Sequence, residues 1–192
     1  MHKNTQAGVA KIIWIIIVIA VILGFWAIAS YNSLVRSNEA VATQWSQVET
    51  QYQRRFDLIP NLVESVKGVL NQEQEIFIAL ANARSGYAGA QTVDEKIAAA
   101  GQVETSLGRL LAIVENYPQL RSSETMQTLM AQLEGTENRI STERGRYNEA
   151  VMSYNLKVKT FPNSLFAGVF GFDAKNQFDA VEGSDTAPSV KF

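Results

Sequence analysis

Residues Ile12–Ala29 read IIWIIIVIAVILGFWAIA, eighteen positions without a charged or strongly polar side chain. At 1.5 Å per residue this run makes about 27 Å of helix, and extension back to Val9 or on to Tyr31 reaches the roughly 30 Å of a bilayer core. The run therefore predicts a transmembrane helix, with Ile12, Trp14, Ile16, Ile19, Leu23, Phe25 and Trp26 among its lipid-facing side chains. The competing reading is a cleavable signal peptide, with Lys3 and Lys11 as its basic region and Ala27-Ile28-Ala29 as a small-x-small site before Ser30. The length of the run and the bulk of Phe25 and Trp26 beside that site favour a retained anchor. Lys3, Lys11 and the free amine precede the run, whereas Arg36 is the only cation in the first fifteen residues after it. This asymmetry predicts a single pass, with the N-terminus inside and the C-terminal domain outside.

The 163 residues from Ser30 onward are enough for one domain with a core. They hold all nineteen acids and fifteen of the seventeen Lys and Arg, a formal charge of −4, which argues against a nucleic-acid partner. The sequence has no cysteine, so disulfides, thiol catalysis and thiolate metal sites are excluded. Its one histidine, His2, precedes the anchor, which leaves the domain without an imidazole base or ligand. Carboxylate pairs such as Glu73 with Glu75 and Glu134 with Glu137 are the remaining acid/base candidates, and such pairs on helices are ordinarily solvated faces. No catalytic residue, metal or cofactor is expected.

Beyond the anchor the apolar period is helical. Leu34, Val41, Trp45, Val48, Tyr52 and Phe56 recur at three-four spacing, with Asn38 in the gap, and no Pro or Gly separates them from the anchor. One helix is therefore expected from the membrane to Phe56, about 39 Å of it after Tyr31. Pro60 predicts a turn at 57–61, with Asp57 as N-cap of a second helix ending near Arg84 and Arg54 and Arg55 at the negative end of the first. SGYAGAQT (85–92) reads as a loop, and a third helix runs from about Val93 to the stop at Pro118. A fourth, capped by Ser122 or Ser123, continues toward Pro162 for about 57 Å. Its seam (Met126, Leu129, Leu133, Ile140, Tyr147, Val151, Tyr154) is interrupted by Thr136, Asn138, Arg144, Asn148 and Asn155 on or beside it. Such polar residues predict a layer that fixes helix register, with a ligand or ion site as the alternative. Gly135 and Gly145, inside the same helix, suggest close helix approach or simple tolerance. By this count the fourth helix exceeds the first by some twelve residues, about 18 Å, and must overhang or tilt.

Counting passes returns the end of the fourth helix to the membrane, where Leu165, Phe166, Val169, Phe170 and Phe172 are expected at the headgroup boundary or against a neighbouring subunit. The competing reading folds them over the bundle as core. The expected organisation is an anchor (1–30), an antiparallel helical bundle (31–161), an aromatic-rich segment near the membrane (162–180) and a flexible tail (181–192).

A long ordered set of motifs resembles the LemA family of bacterial membrane proteins: YNxLV from Tyr31, WSQV from Trp45, RRxDLIPNLV from Arg54, YPxL from Tyr117, LExTENRI from Leu133, RxxYNxAVxxYN from Arg144, then Phe161-Pro162 and Phe170-Gly171-Phe172. The resemblance covers Tyr31 to about Phe178. It implies an all-α, up-down bundle after one membrane segment, no established enzymatic activity, and, because some members look magnetosome-associated, roles in membrane organisation. Lipoprotein-like members carry a cysteine before the Tyr-Asn motif, where this chain has Ser30, so lipid anchoring is not expected. Together these features predict a non-enzymatic scaffold that engages other membrane or envelope proteins, or copies of itself. Trp45, Arg54, Arg55, Asp57, Tyr147 and Tyr154, with the polar seam residues, are its candidate interaction layer. An accessory module holding a small ligand or ion in the polar layer, and a carboxylate hydrolase, are the alternatives.

Overall fold

A computed structural model of the chain describes residues 3–68 and 74–178, with side chains from residue 12 onward. Among the described residues every regular element is a helix: α1 (Lys3–Lys67), α2 (Gln74–Gly89), α3 (Val93–Glu115), the single turn α4 (Pro118–Arg121), α5 (Glu124–Lys159) and α6 (Asn163–Phe170). An extended segment, 172–178, follows α6. The fold is all-α, with a long apolar N-terminal helix and a packed bundle. The segment 181–192, expected as a tail, lies outside the described residues, as do Val69, Leu70 and Glu73.

The expected membrane segment is helical throughout, and its side chains from Ile12 to Ile28 are exposed apart from the partly covered Ala27. A second apolar helix, α3, is of the opposite kind, because Ala100, Val103, Leu107, Leu110 and Val114 bury one face inside the protein.

The chain forms two compact units. The first holds residues 1–43 and 149–175: the anchor, the start of α1, the end of α5 and α6, packed around Leu34, Val41, Val151, Tyr154 and Ala167. The second holds residues 44–148 and the chain from 176 onward. Its core joins Val48, Phe56, Leu62 and Val66 of α1 to Leu80 of α2, Leu110 of α3 and Leu133 and Ile140 of α5.

The turn expected at 57–61 does not form. α1 runs through Pro60 to Lys67. Proline inside a helix costs about 3 kcal/mol through its lost N–H and its clash with the carbonyl four residues back. Phe56, Ile59, Leu62 and Val66, however, continue the buried stripe at 4 % exposure or less, and each such side chain contributes roughly 1.5–3 kcal/mol. Four of them outweigh one proline, which itself sits on the exposed face of the helix. Asp57 is accordingly no N-cap; mid-helix, it accepts from Gln53 Nε2 at 2.9 Å. Nor do Arg54 and Arg55 lie at a helix end. From Ser30 to Lys67 α1 measures 38 residues against 36 in α5, so the expected overhang disappears.

The loop expected at 85–92 is also shorter, since α2 continues to Gly89. Tyr87 holds that last turn, its ring 4.7 Å from Phe56 and 5.6 Å from Tyr52. α3 begins at a capping box: Thr92 Oγ1 accepts from the Glu95 N–H and Glu95 returns a carboxylate to the Thr92 N–H. The backbone N–H groups of Gln91 and Thr92, both donating to it, hold the Glu95 carboxyl below its ordinary pKa. Ser123 caps α5, accepting from the Met126 N–H at 3.2 Å.

Gly135 and Gly145 mark no close approach, because a Cβ at either would meet nothing within 4 Å. Gly135→Ala and Gly145→Ala are therefore each expected to raise stability by about 0.5–1 kcal/mol, the backbone entropy that glycine loses in a helix. Denaturant midpoints measured at constant m-value would show it, and a fall in either midpoint would contradict the open surroundings.

Candidate functional site

The polar residues of the long helices resolve into three separate arrangements. In the second unit Arg55 of α1 is 2 % exposed, an unusual position for a cation. Its guanidinium bonds Glu104 of α3 at 3.3 Å and also pairs with Glu137 of α5. Glu104 receives a second guanidinium, that of Arg144 from α5, whose Nε donates to the Tyr52 hydroxyl at 2.9 Å. Arg144 lies over two rings, 5.5 Å from Tyr52 and 5.0 Å from Phe178. Two cations thus face two carboxylates, and the layer is neutral.

Burial shapes the titration of these groups. It lowers the Arg55 pKa, against the pull of Glu104. It also opposes the charge on Arg144, but there Tyr52 and Glu104 outweigh it and the pKa rises. Burial raises the hydroxyl of Tyr52 and, with Glu49 nearby, that of Tyr87. The arrangement holds α1, α3 and α5 together through their charges.

The second arrangement involves Tyr147 and Asn148 in the second unit. Asn148 Nδ2 donates to the Phe178 carbonyl at 3.0 Å and its Oδ1 accepts from the Phe178 N–H at 2.8 Å. The Tyr147 hydroxyl donates to the Asn176 carbonyl at 3.3 Å. Phe178 then stacks on Trp45 and meets Tyr147 edge-on. The third, in the first unit, repeats the device seven residues along α5. Asn155 donates to the Lys175 carbonyl and accepts from its N–H, both at 2.8 Å, while the Tyr154 hydroxyl donates to the Asp173 carbonyl at 2.9 Å. A carboxamide presents a donor and an acceptor in one plane, as a peptide group does, so each asparagine serves the backbone of an extended segment in place of a neighbouring strand.

The expected polar layer thus gains Arg55, Arg144, Tyr147, Asn148, Tyr154, Asn155 and Trp45, though not as one layer. Thr136 donates to the Leu133 carbonyl of its own helix, Asn138 and Arg54 are exposed, and Asp57 pairs only locally. Tyr52, Glu104 and Phe178 escaped the sequence reading. Glu104 had a signal, as an acid between Ala100 and Leu107 on an otherwise apolar helical stripe. Among the described residues no group of three or more His, Cys, Asp or Glu side chains could hold a metal ion. Beside Arg55 the second unit opens an apolar cleft of about 710 Å³ between α3 and α5, floored by Leu107, Val114, Met126 and Met130 and edged by Arg121 and Glu134.

Arg55→Ala is expected to cost about 3 kcal/mol in unfolding experiments, the lower end for a broken buried pair because Glu104 keeps Arg144. Arg55→Met, which fills the same volume, should cost less, and a loss near zero in this variant would mean that the charge contributes nothing beyond packing. Asn148→Ala and Asn155→Ala each remove two hydrogen bonds and should cost about 1–2 kcal/mol, well above the roughly 0.5 kcal/mol of a surface change. Midpoints unchanged from the parent would show that the extended segment is held by its aromatic side chains alone.

Comparison with known proteins agrees with this architecture. Magnetosome protein MamQ 2 of Paramagnetospirillum magneticum is 29 % identical over 182 residues, covering 81 % of this chain and 67 % of its own length. Magnetosome protein MamQ of Magnetospirillum gryphiswaldense is 28 % identical over 182 residues with the same coverage, and Protein LemA of Metamycoplasma hominis is 24 % identical over 165 residues, 84 % of this chain and 75 % of its own. The family model described as LemA matches residues 44–192, from Gln44 at the start of the second unit through both Tyr-Asn pairs, and by that match the chain belongs to the LemA family.

Proposed function

We propose that the chain is a single-pass scaffold, anchored by Ile12–Ala29 with its N-terminus in the cytoplasm, whose bundle outside the inner membrane engages other envelope proteins or copies of itself. LemA family proteins are non-catalytic, and membrane association through an N-terminal apolar helix fits that class. One observation carries the reading: Arg55, Arg144, Asn148 and Asn155 are engaged with carboxylates or with the chain's own backbone, whereas the cleft between α3 and α5 opens onto apolar side chains, of which Leu111 and Met130 are partly exposed. A methionine-lined cleft with both signs of charge at its edge suits the apolar face of a partner helix. That two relatives are named for the magnetosome supports a task in organising membranes. Continuity of α1 through Ala27-Ile28-Ala29 supports a retained anchor over a cleaved leader.

A photo-activatable residue at Met130, in the cleft, is expected to give discrete protein adducts in intact cells, and one at the exposed Arg139 few or none. Equal patterns at the two positions would remove the cleft from the proposal. Protease added outside an intact inner membrane should digest the region after Ser30. Protection of that region would invert the orientation.

A further inference from the structure

α6 lies at the foot of the anchor in the first unit. Asn163 Oδ1 accepts from the hydroxyl of Ser30, the first residue after the apolar run, at 2.7 Å. The Tyr31 ring meets Phe170 at 5.0 Å and Phe172 at 6.0 Å, both edge-on. One side of α6 is therefore docked, with Ala167 buried against the unit and Phe166 stacked on Phe170. The other side is bare: Leu165 and Val169, four residues apart, are 61 % and 79 % exposed, and Phe161, in the turn before the helix, is 74 % exposed.

What covers a bare apolar stripe follows from where it lies. A helix whose Ile12–Ala29 crosses the hydrocarbon leaves it at Ser30, so a segment bonded to Ser30 and packed on Tyr31 sits at headgroup depth. The first unit after the anchor holds the cations Arg36, Lys157, Lys159 and Lys175, against Glu39, Glu149 and Asp173. Lys157 is held by the Ser37 hydroxyl and Lys175 lies over the Tyr154 ring, 5.5 Å from its centre. Lys159, exposed two residues before Phe161, keeps a free long stem, and in an interfacial helix such a stem reaches phosphates while the apolar stripe enters the acyl boundary.

We infer that α6 is a second membrane contact, an interfacial helix that seats Phe161, Leu165 and Val169 in the lipid surface beside the anchor. It fixes how the first unit stands on the bilayer, because one spanning helix leaves rotation about its axis free and a second contact removes it. The inference rests on Ile12–Ala29 crossing the membrane and is independent of which partner the bundle binds.

The chain contains no cysteine, so a single introduced one takes a spin label uniquely. The full-length variants Ile19→Cys, Val169→Cys and Arg139→Cys would be labelled and reconstituted in vesicles of phosphatidylethanolamine and phosphatidylglycerol. The ratio of oxygen to nickel-chelate accessibility at Val169 is expected to be several-fold above that at Arg139 and below that at Ile19. Leu165→Cys should agree with Val169→Cys. A lipid-like value at Ile19 with a water-like value at Val169 would overturn the inference and leave the anchor intact, whereas water-like values at both would overturn the anchor as well. Spin–spin broadening at Val169 that disappears on dilution with unlabelled chain would assign the stripe to a second copy and overturn the lipid contact.

Discussion

One carboxylate, Glu104, receives guanidinium groups from two helices, Arg55 of α1 and Arg144 of α5. A cation as buried as Arg55 is tolerable only with a partner, and α3 supplies it. The net energy of such a group is small, because desolvation offsets most of the attraction. Its value lies in register. A slip of α5 by one turn moves Arg144 about 5.4 Å and strands both charges, whereas leucine seams alone would accept the shift with modest loss. Tyr52 and Phe178 close over Arg144, which ties the extended segment after α6 to the same constraint.

That segment shows a different economy of bonding. A chain in extended form carries unpaired backbone groups that a helical protein has no sheet to satisfy. Tyr147-Asn148 and Tyr154-Asn155 supply the partners from the surface of α5, each asparagine offering the two-pronged pairing of a peptide group. The seven-residue spacing puts both pairs on one side of α5, two turns apart. Polar residues at seam positions are therefore not weak points in the packing. They are the attachment points of another stretch of backbone.

Helical period, the long apolar N-terminal helix, the α5 cap and the stripe on α5 were all legible in the sequence, because each is a local pattern of side chains around one axis. Pro60 was misread for the same reason: local rules weigh the proline alone, while the outcome depends on Phe56, Ile59, Leu62 and Val66 finding partners from distant elements. Tyr87 likewise extends α2 through contacts with Tyr52 and Phe56 that no window around residue 87 contains. Among the polar residues, type and seam position identified Arg144, Asn148 and Asn155. What they bind was not legible, since Glu104 and the 173–178 backbone lie up to forty positions away along the chain.

The distribution of chemistry between inside and outside bears on what such a protein does. An active site aims its charged groups into a space that a substrate can enter, and shifts their pKa values toward neutrality. Here the charged groups close on each other, and the tyrosines are driven up by burial. Apolar side chains reach the surface elsewhere: Leu111 and Met130 are partly exposed in the cleft between α3 and α5 in one unit, and the stripe on α6 is bare in the other. Apolar surface facing water is unfavourable by about 25 cal/mol per Å², and it persists where something other than water covers it. At α6 the bond to Ser30 places the lipid surface within reach. The α3–α5 cleft is where the partner helix proposed above would lie, its methionines adapting to the face that covers them.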